Sequence, residues 1–260
     1  MKLTKKILAV VLAALLAVAV FAGCSNAADN NETSAPSEEK QTLTMATNAA
    51  FPPYEYVEGD KVVGIDAEIA QAIADKLGME LEIIDTEFDS IIPGVQGGKY
   101  DMGMAGMTVT PEREESVSFS SSYASAVQVV IVPENSAIKT VDDITSETKI
   151  GVQVATTGCI YAKDDYGVDA VQEFQNGAAA VQALLSGKID CVIIDNEPAK
   201  AFVASNEGLK ILDTAYAEEE YAICFNKENT ELKDKVDAAL VELIADGTVK
   251  SIIDKYIVAE

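Results

Sequence analysis

Asp101-Met102-Gly103-Met104-Ala105-Gly106-Met107-Thr108-Val109-Thr110-Pro111-Glu112-Arg113 is the stretch on which the fold turns. Its first half, Asp101–Gly106, reads as a strand. Its second half opens a helix, with Thr110 at the N-cap, Pro111 at the first helical position and acids in the first turn. Arg113 is the only arginine of the chain; the other eighteen cationic side chains are lysines. A guanidinium is a rigid planar fork that grips a carboxylate through two parallel hydrogen bonds. Two readings of Arg113 stand on these residues alone: a carboxylate clamp beside a glycine turn, or a solvated side chain pairing with Glu112, Glu114 or Glu115.

Upstream, Leu43–Thr47 reads as a strand. A helix from about Asp66 to Leu77 follows, with Ile65, Ile69, Ile73 and Leu77 at spacing four and Gly78 placed to end it. Met79–Ile84 is a strand and Asp89–Gly97 a short helix, so the order β-α-β-α-β predicts a parallel sheet with crossover helices. The pattern restarts at Val127–Val132. Thr140 is placed to cap a short helix, Lys149–Val154 reads as a strand, and Thr157 starts a helix running to about Asp165. Val168–Phe174 reads as a strand, Gly177–Leu185 as a helix, Ile189–Ile194 as a strand and Glu197–Ala204 as a helix. Tyr221–Phe225 is a further strand before helices near Glu231–Asp246 and Val249–Tyr256. Two α/β units in tandem predict two lobes. Open α/β sheets bind ligands beyond the carboxyl ends of their strands. Asn48–Tyr54, Gly106–Arg113, Ala155–Gly158 and Asp195 occupy such positions, two from each half.

The N-terminus has the make-up of a secretory signal. Lys2, Lys5 and Lys6 precede the apolar run Ile7–Phe21, and Ala22-Gly23-Cys24 has the ending of a lipoprotein signal. Fifteen apolar residues are short for a membrane span. Cleavage of residues 1–23 leaves Cys24 as a lipidated N-terminus, and residues 24–40, polar and without periodicity, read as a flexible tether. Removing 1–23 leaves sixteen cationic side chains against forty-three acids, a charge of −27. That balance argues against nucleic acid, and against electrostatic attraction to anionic lipid. With no histidine in the chain, Ser-His-Asp and Cys-His catalysis are excluded. Cys159, Cys191 and Cys224 fit neither a disulfide framework nor a metal site by their number and spacing. No metal or cofactor is expected.

Several segments together resemble a known family. Ala46-Thr47-Asn48-Ala49-Ala50-Phe51-Pro52-Pro53-Tyr54-Glu55-Tyr56 looks like the opening of the bacterial amino-acid-binding proteins of ABC importers, the family 3 solute-binding proteins. Gly64-Ile65-Asp66-Ala67-Glu68-Ile69-Ala70, Phe88-Asp89-Ser90-Ile91-Ile92-Pro93-Gly94-Val95 and Gly98-Lys99-Tyr100-Asp101 match further family segments. Gly106–Arg113, Gly151–Gly158 and Gly187-Lys188-Ile189-Asp190…Asp195 follow in family order. The resemblance covers essentially all of residues 41–260.

It implies a type II periplasmic-binding-protein fold, two α/β lobes with mostly parallel sheets joined by two hinge strands. On that pattern lobe 1 is 41–126 plus 223–260 and lobe 2 is 127–222, with crossovers near Ala126–Val130 and Ala217–Ala222. The implied function is capture of a free amino acid, neutral polar or cationic, between closing lobes, and its delivery to a membrane permease. The implied carrier is a monomer on the outer face of the cell membrane, held by the lipid on Cys24. Arg113 would clamp the α-carboxylate, with the Thr108 hydroxyl nearby. Gly106 would offer its carbonyl to the α-ammonium and Asp195 would neutralise it from the other lobe. Thr156 and Thr157 would add hydroxyls and N–H groups at a helix start. Phe51 and Phe88 would sandwich the side chain, Asn48 leaves specificity open, and the Ala105-Gly106-Met107-Thr108 run resembles both glutamine and arginine binders. Capping is the bland alternative for Asp195, Thr156 and Thr157, and core packing for the two phenylalanines. The family usually has glycine where Ala155 stands. Two other functions fit the scaffold: a cyclohexadienyl-dehydratase-like enzyme with Glu197 as its acid, and a ligand-sensing module.

Overall fold

A computed structural model of the chain describes residues 40–213 and 215–257. The expected signal segment 1–23, the expected lipidation site Cys24 and all but the last residue of the expected tether lie outside the described residues.

The first half runs β1 (Thr42–Thr47), β2 (Ala50–Phe51), β3 (Glu55–Glu58), β4 (Lys61–Val63), α1 (Ile65–Leu77), β5 (Glu80–Asp85), α2 (Phe88–Gln96), β6 (Met102–Gly103), α3 (Pro111–Ser116) and β7 (Val117–Phe119). The second half continues with β8 (Ala124–Pro133), β9 (Ile150–Gln153), α4 (Thr157–Tyr166), β10 (Val171–Phe174), α5 (Gly177–Leu185), β11 (Cys191–Asp195), α6 (Asn196–Ser205), β12 (Leu209–Ile211) and β13 (Ala217–Tyr221). The chain closes with β14 (Cys224–Asn226), α7 (Thr230–Ala245) and α8 (Thr248–Tyr256).

Two sheets form the lobes. One has the order β5-β1-β6-β14-β7, the other β10-β9-β11-β8-β12, with β13 also on β8. The strands joined by crossover helices are parallel, as the β-α-β order requires: β1 with β5 and β6, and β9 with β10 and β11. The remainder of each sheet is antiparallel, because β14 and β8 are reached without a crossover helix and run the other way. The sheets are therefore mixed, with a parallel half each. Strands β8 and β13 lie side by side, with Ala217 opposite Gln128 and Tyr221 opposite Ala124.

The spacing-four isoleucines of α1 face the core. Ile65, Ile69 and Ile73 are fully buried, each worth roughly 1.5–3 kcal/mol of transfer free energy. Helices α7 and α8 pack against α1, which returns the C-terminal segment to the first sheet.

The chain departs from its sequence reading in four places. The run Tyr221–Phe225 is two strands in two sheets: Tyr221 ends β13 against β8, and Cys224 begins β14 between β6 and β7. All five residues are buried, so no alternation marks the change of sheet. Val168–Ala170 is a 3-10 turn with Val168 exposed, and the strand begins only at Val171. The Asp101–Gly106 strand pairs only over Met102–Gly103, because the backbone turns left-handed at Gly106 (φ 51°). The three-stranded antiparallel sheet β2-β3-β4 went unpredicted; its strands are too short to show a period.

Candidate ligand-binding site

Loops from both sheets end at one pocket. Asn48 and Phe51 come from the turn after β1, Phe88 from the first residue of α2, and Ala105, Gly106 and Thr108 from the loop after β6. Arg113 follows on α3, Thr156 and Thr157 stand at the start of α4, and Asp195 ends β11. All ten expected ligand-contact residues thus line one pocket, a cleft of about 310 Å³ counted out to the open solvent at its mouth. Two lining residues are additional: Glu55 on β3 and Gln153 at the end of β9.

Arg113 is buried at 7% exposure and forms none of the ion pairs among the described residues, which removes the solvated-helix reading. Its Nη1 donates to the Thr108 carbonyl (2.7 Å) and its Nη2 to the Ala155 carbonyl (3.1 Å). A guanidinium carries five N–H donors, so donors remain for a ligand. Its charge centre lies 5.4 Å from the centroid of the Phe88 ring, a cation–π distance. The Thr110 hydroxyl accepts from the Arg113 N–H (3.2 Å), so the predicted cap orients the helix that carries the guanidinium. Burial pulls the Arg113 pKa below its ordinary value, opposed by the charge of Glu219.

Asp195 sits at the N-terminus of α6 without capping it through its side chain. Its carboxylate instead accepts from Tyr221 Oη (2.5 Å) and Gln128 Nε2 (2.9 Å). Burial raises its pKa well above the usual carboxylate range, and the neighbouring Glu219 raises it further. The Thr108 hydroxyl donates to Glu219 Oε2 (3.0 Å). A hydroxyl has one proton to give, so Thr108 offers a ligand lone pairs, which suit an ammonium better than a carboxylate. Thr156 does cap: its hydroxyl accepts from the Cys159 N–H (3.3 Å) and donates to the Gln153 carbonyl (2.7 Å). Its N–H also turns to the Gln153 carbonyl (3.4 Å) and its carbonyl accepts from the Ile160 N–H (3.1 Å), so Thr156 is taken up by the turn itself.

Asn48 and Gln153 meet across the pocket. Gln153 Nε2 donates to Asn48 Oδ1 (2.9 Å), while Asn48 Nδ2 donates to the Thr86 carbonyl (2.9 Å). Below them lies a buried acid pair. Asp66 Oδ2 accepts from the Gly106 N–H and from Tyr123 Oη, both at 2.9 Å, which ties the Gly106 turn to α1. Burial pushes Asp66 up to about 6, and burial together with Asp66 drives Glu55 well above its ordinary value. Gly106 is required twice over: its φ is left-handed, and a Cβ there would stand 2.9 Å from the Phe51 ring.

Glu197 is not a lining residue; it accepts from Lys200 (3.0 Å) and from Asn196 (2.9 Å). Cys159, Cys191 and Cys224 are free and buried, and the described residues hold no group of three or more histidines, cysteines or acids fit for a metal. None of the described helices is long and apolar enough to cross a membrane. The pocket can hold a small zwitterion, with a fixed cation on one wall and an anion on the other.

Residues 43–259 match the family model of the bacterial extracellular solute-binding proteins, family 3. The arginine-binding extracellular protein ArtP of Bacillus subtilis is 33% identical, over 98% of this chain and 99% of that protein. The arginine-, lysine-, histidine-binding protein ArtJ of Geobacillus stearothermophilus superposes with a TM-score of 0.80 at 35% identity, covering 85% of this chain and 96% of ArtJ. An ancestral arginine-binding protein bound to glutamine gives 0.79 at 39% identity, over 84% and 99% of the two chains. The match spans nearly the whole described chain and the fold agrees, so this protein belongs to the bacterial extracellular solute-binding proteins, family 3.

Proposed function

We propose that this chain captures one free α-amino acid between its lobes and delivers it to the permease of an ABC importer. One observation carries the reading: Arg113 and Asp195, opposite charges and each 7% exposed, line the same pocket from elements of different sheets. A zwitterion satisfies both, whereas leaving either charge buried and unpaired is costly. The names of the relatives, which bind arginine, histidine, glutamine or cystine, support the same class.

Arg113 holds the α-carboxylate with the N–H group of Thr157 at the start of α4, a helix turn that Thr156 caps. Asp195, the Gly106 carbonyl and the Thr108 lone pairs hold the α-ammonium. Phe51 and Phe88 flank the side chain, and Ala105 and Asn48, with Gln153, complete its surroundings. Arg113 is the one cationic lining residue, so an acidic side chain would add a second carboxylate without a partner. Neutral polar and cationic side chains fit.

Lobe 1 is 41–126 with 223–260 and lobe 2 is 127–222, a division supported by the two sheets and by the side-by-side crossing of β8 and β13. The protein acts as a monomeric receptor without turnover, held at the outer face of the membrane by a lipid on Cys24. Calorimetry of ligand-stripped protein against the twenty amino acids plus cystine, ornithine and citrulline tests the reading. One or a few should bind at micromolar affinity or better, about −8 kcal/mol. Heat only with a sugar, a peptide or a metal would sink it.

A further inference from the structure

Glu219 takes no place in the pocket lining, yet it joins the groups on both of its sides. It lies on β13, one of the two strands that run together between the sheets, and is buried at 5% exposure. Its Oε2 accepts both from the Thr108 hydroxyl (3.0 Å) and from Gln128 Nε2 (3.1 Å). Gln128 lies on the other such strand, β8, and the same Nε2 is 2.9 Å from Asp195 Oδ2 and 3.5 Å from Thr157 Oγ1. An amide nitrogen has two hydrogens, and here three acceptors surround it. Gln128 Oε1 and Glu219 Oε1 have no hydrogen-bond partner among the described residues. Gly158 leaves the room: a Cβ there would stand 2.9 Å from Gln128 Oε1. Two buried carboxylates, Asp195 and Glu219, therefore share one neutral amide, and no cation among the described residues forms an ion pair with either.

We propose that Glu219, acting through the Gln128 amide, is a positioning residue for ligand capture. It holds Thr108 and Asp195 in register across the two joining strands, and its carboxylate, set beside Asp195 on the same amide donor, makes capture of an ammonium depend on pH. This rests on the reading of the pocket as an amino-acid site. The ligand ammonium supplies the cation that the pair lacks. As pH falls, Asp195 takes a proton, its attraction for the ammonium is lost, and affinity drops. The negative charge of Glu219 brings that loss to a higher pH than burial alone would. The titratable and charged groups facing Asp195 are Glu219 and Tyr221 on β13, Glu197 on α6, Arg113 on α3, Glu55 on β3, with Asp66 behind it on α1, and Tyr54. Tyr161 on α4 faces Glu219. Of the carboxylates, Glu219 is the one that shares a hydrogen-bond donor with Asp195.

Glu219→Gln separates charge from geometry. Its amide oxygen can take the place of Oε2, which accepts both hydrogen bonds, and its nitrogen the place of the oxygen that has no partner. Titration calorimetry with the best-binding amino acid, from pH 5 to pH 8, compares it with wild type. At pH 8 the variant should bind within about 3-fold of wild type, and the pH at which affinity falls by half should move down by about one unit. Superimposed profiles overturn the proposal. Glu219→Ala leaves Thr108 without its acceptor and frees Gln128 from β13, its amide still bound to Asp195, and should weaken binding about 10-fold even at pH 8; wild-type affinity there overturns the positioning role. A third measurement needs no variant. Binding heats in buffers of different ionisation enthalpy should show the wild type releasing protons on binding, more as pH falls from 8 towards 5. Proton release absent throughout that range overturns the proposal while leaving the amino-acid site standing. No binding by wild type at any pH overturns both.

Discussion

Arg113 and Asp195 hold the two charges of the pocket in different ways. The guanidinium is held by main chain: the carbonyls of Thr108 and Ala155, with the Thr110 cap beneath it. The carboxylate is held by side chains, Tyr221 and Gln128, on the strands that join the lobes. Main-chain partners cannot be mutated away and do not titrate, so the Arg113 wall, which we propose reads the carboxylate, should be rigid and indifferent to pH. Side-chain partners can be removed one at a time and can tune a charge. The Asp195 wall, which we propose reads the ammonium, is therefore where pH and the joining strands should gain a hold on binding.

The comparison breaks most readily at Arg113→Lys. The charge survives but the fork does not, and a compact ammonium cannot span the two carbonyls and a carboxylate together. Losing about two charged hydrogen bonds, about 3 kcal/mol, should weaken binding about 100-fold with little pH dependence. Titration calorimetry at pH 8 reads this directly. Affinity within 3-fold of wild type would mean the guanidinium is structural and the carboxylate is read elsewhere.

Tyr221→Phe sharpens the contrast from the other wall. The ring keeps its edge contact with Tyr54 (centroids 5.0 Å apart), so what is lost is the hydroxyl donated to Asp195. That hydrogen bond holds the Asp195 pKa down against burial. Without it the folded pKa rises, the protonated form persists to higher pH, and the acid-side loss of binding moves up. Affinity at pH 7 should fall about 10-fold, about 1.4 kcal/mol. A loss equal at every pH would mean that Tyr221 shapes the pocket without tuning its charge.

The same division explains what was legible in the sequence. Arg113 announced itself by being the lone arginine behind a Thr-Pro cap, a local signal whose structural consequence is also local. The four loop positions were legible because each follows a strand with a parallel neighbour set by a crossover helix. Gln128, Tyr221 and Glu219 were not, since their meeting with Asp195 depends on the antiparallel register of β8 with β11 and β13. No local period encodes a register between segments some 70 to 90 residues apart. One signal was available. Gln128 and Gln153 each interrupt an apolar strand run, and both prove buried and hydrogen-bonded at the pocket or beside it. A polar side chain inside an apolar strand asks for a partner. Glu55 stood within a recognised motif, but only the fold shows that its carboxylate is buried against Asp66.

The smallest expected effect tests the rigidity of the main-chain wall itself. Ala155, whose carbonyl accepts from Arg113, has a φ of 61°, the only left-handed residue besides glycine among those described. An L-residue with a Cβ in that region costs about 1–2 kcal/mol. Glycine removes the cost but adds about 0.5–1 kcal/mol of backbone entropy to the unfolded chain. The net for Ala155→Gly is a gain of about 0.5 kcal/mol, which for a domain of this size raises Tm by about 1–2 °C. Binding should not change, because the carbonyl that holds Arg113 belongs to the backbone of either residue. A lower Tm would mean that the Cβ packs better than the backbone is strained. A weaker affinity with a raised Tm would mean that strain at Ala155 helps to aim the guanidinium, and the main-chain wall would then be as tunable as the other.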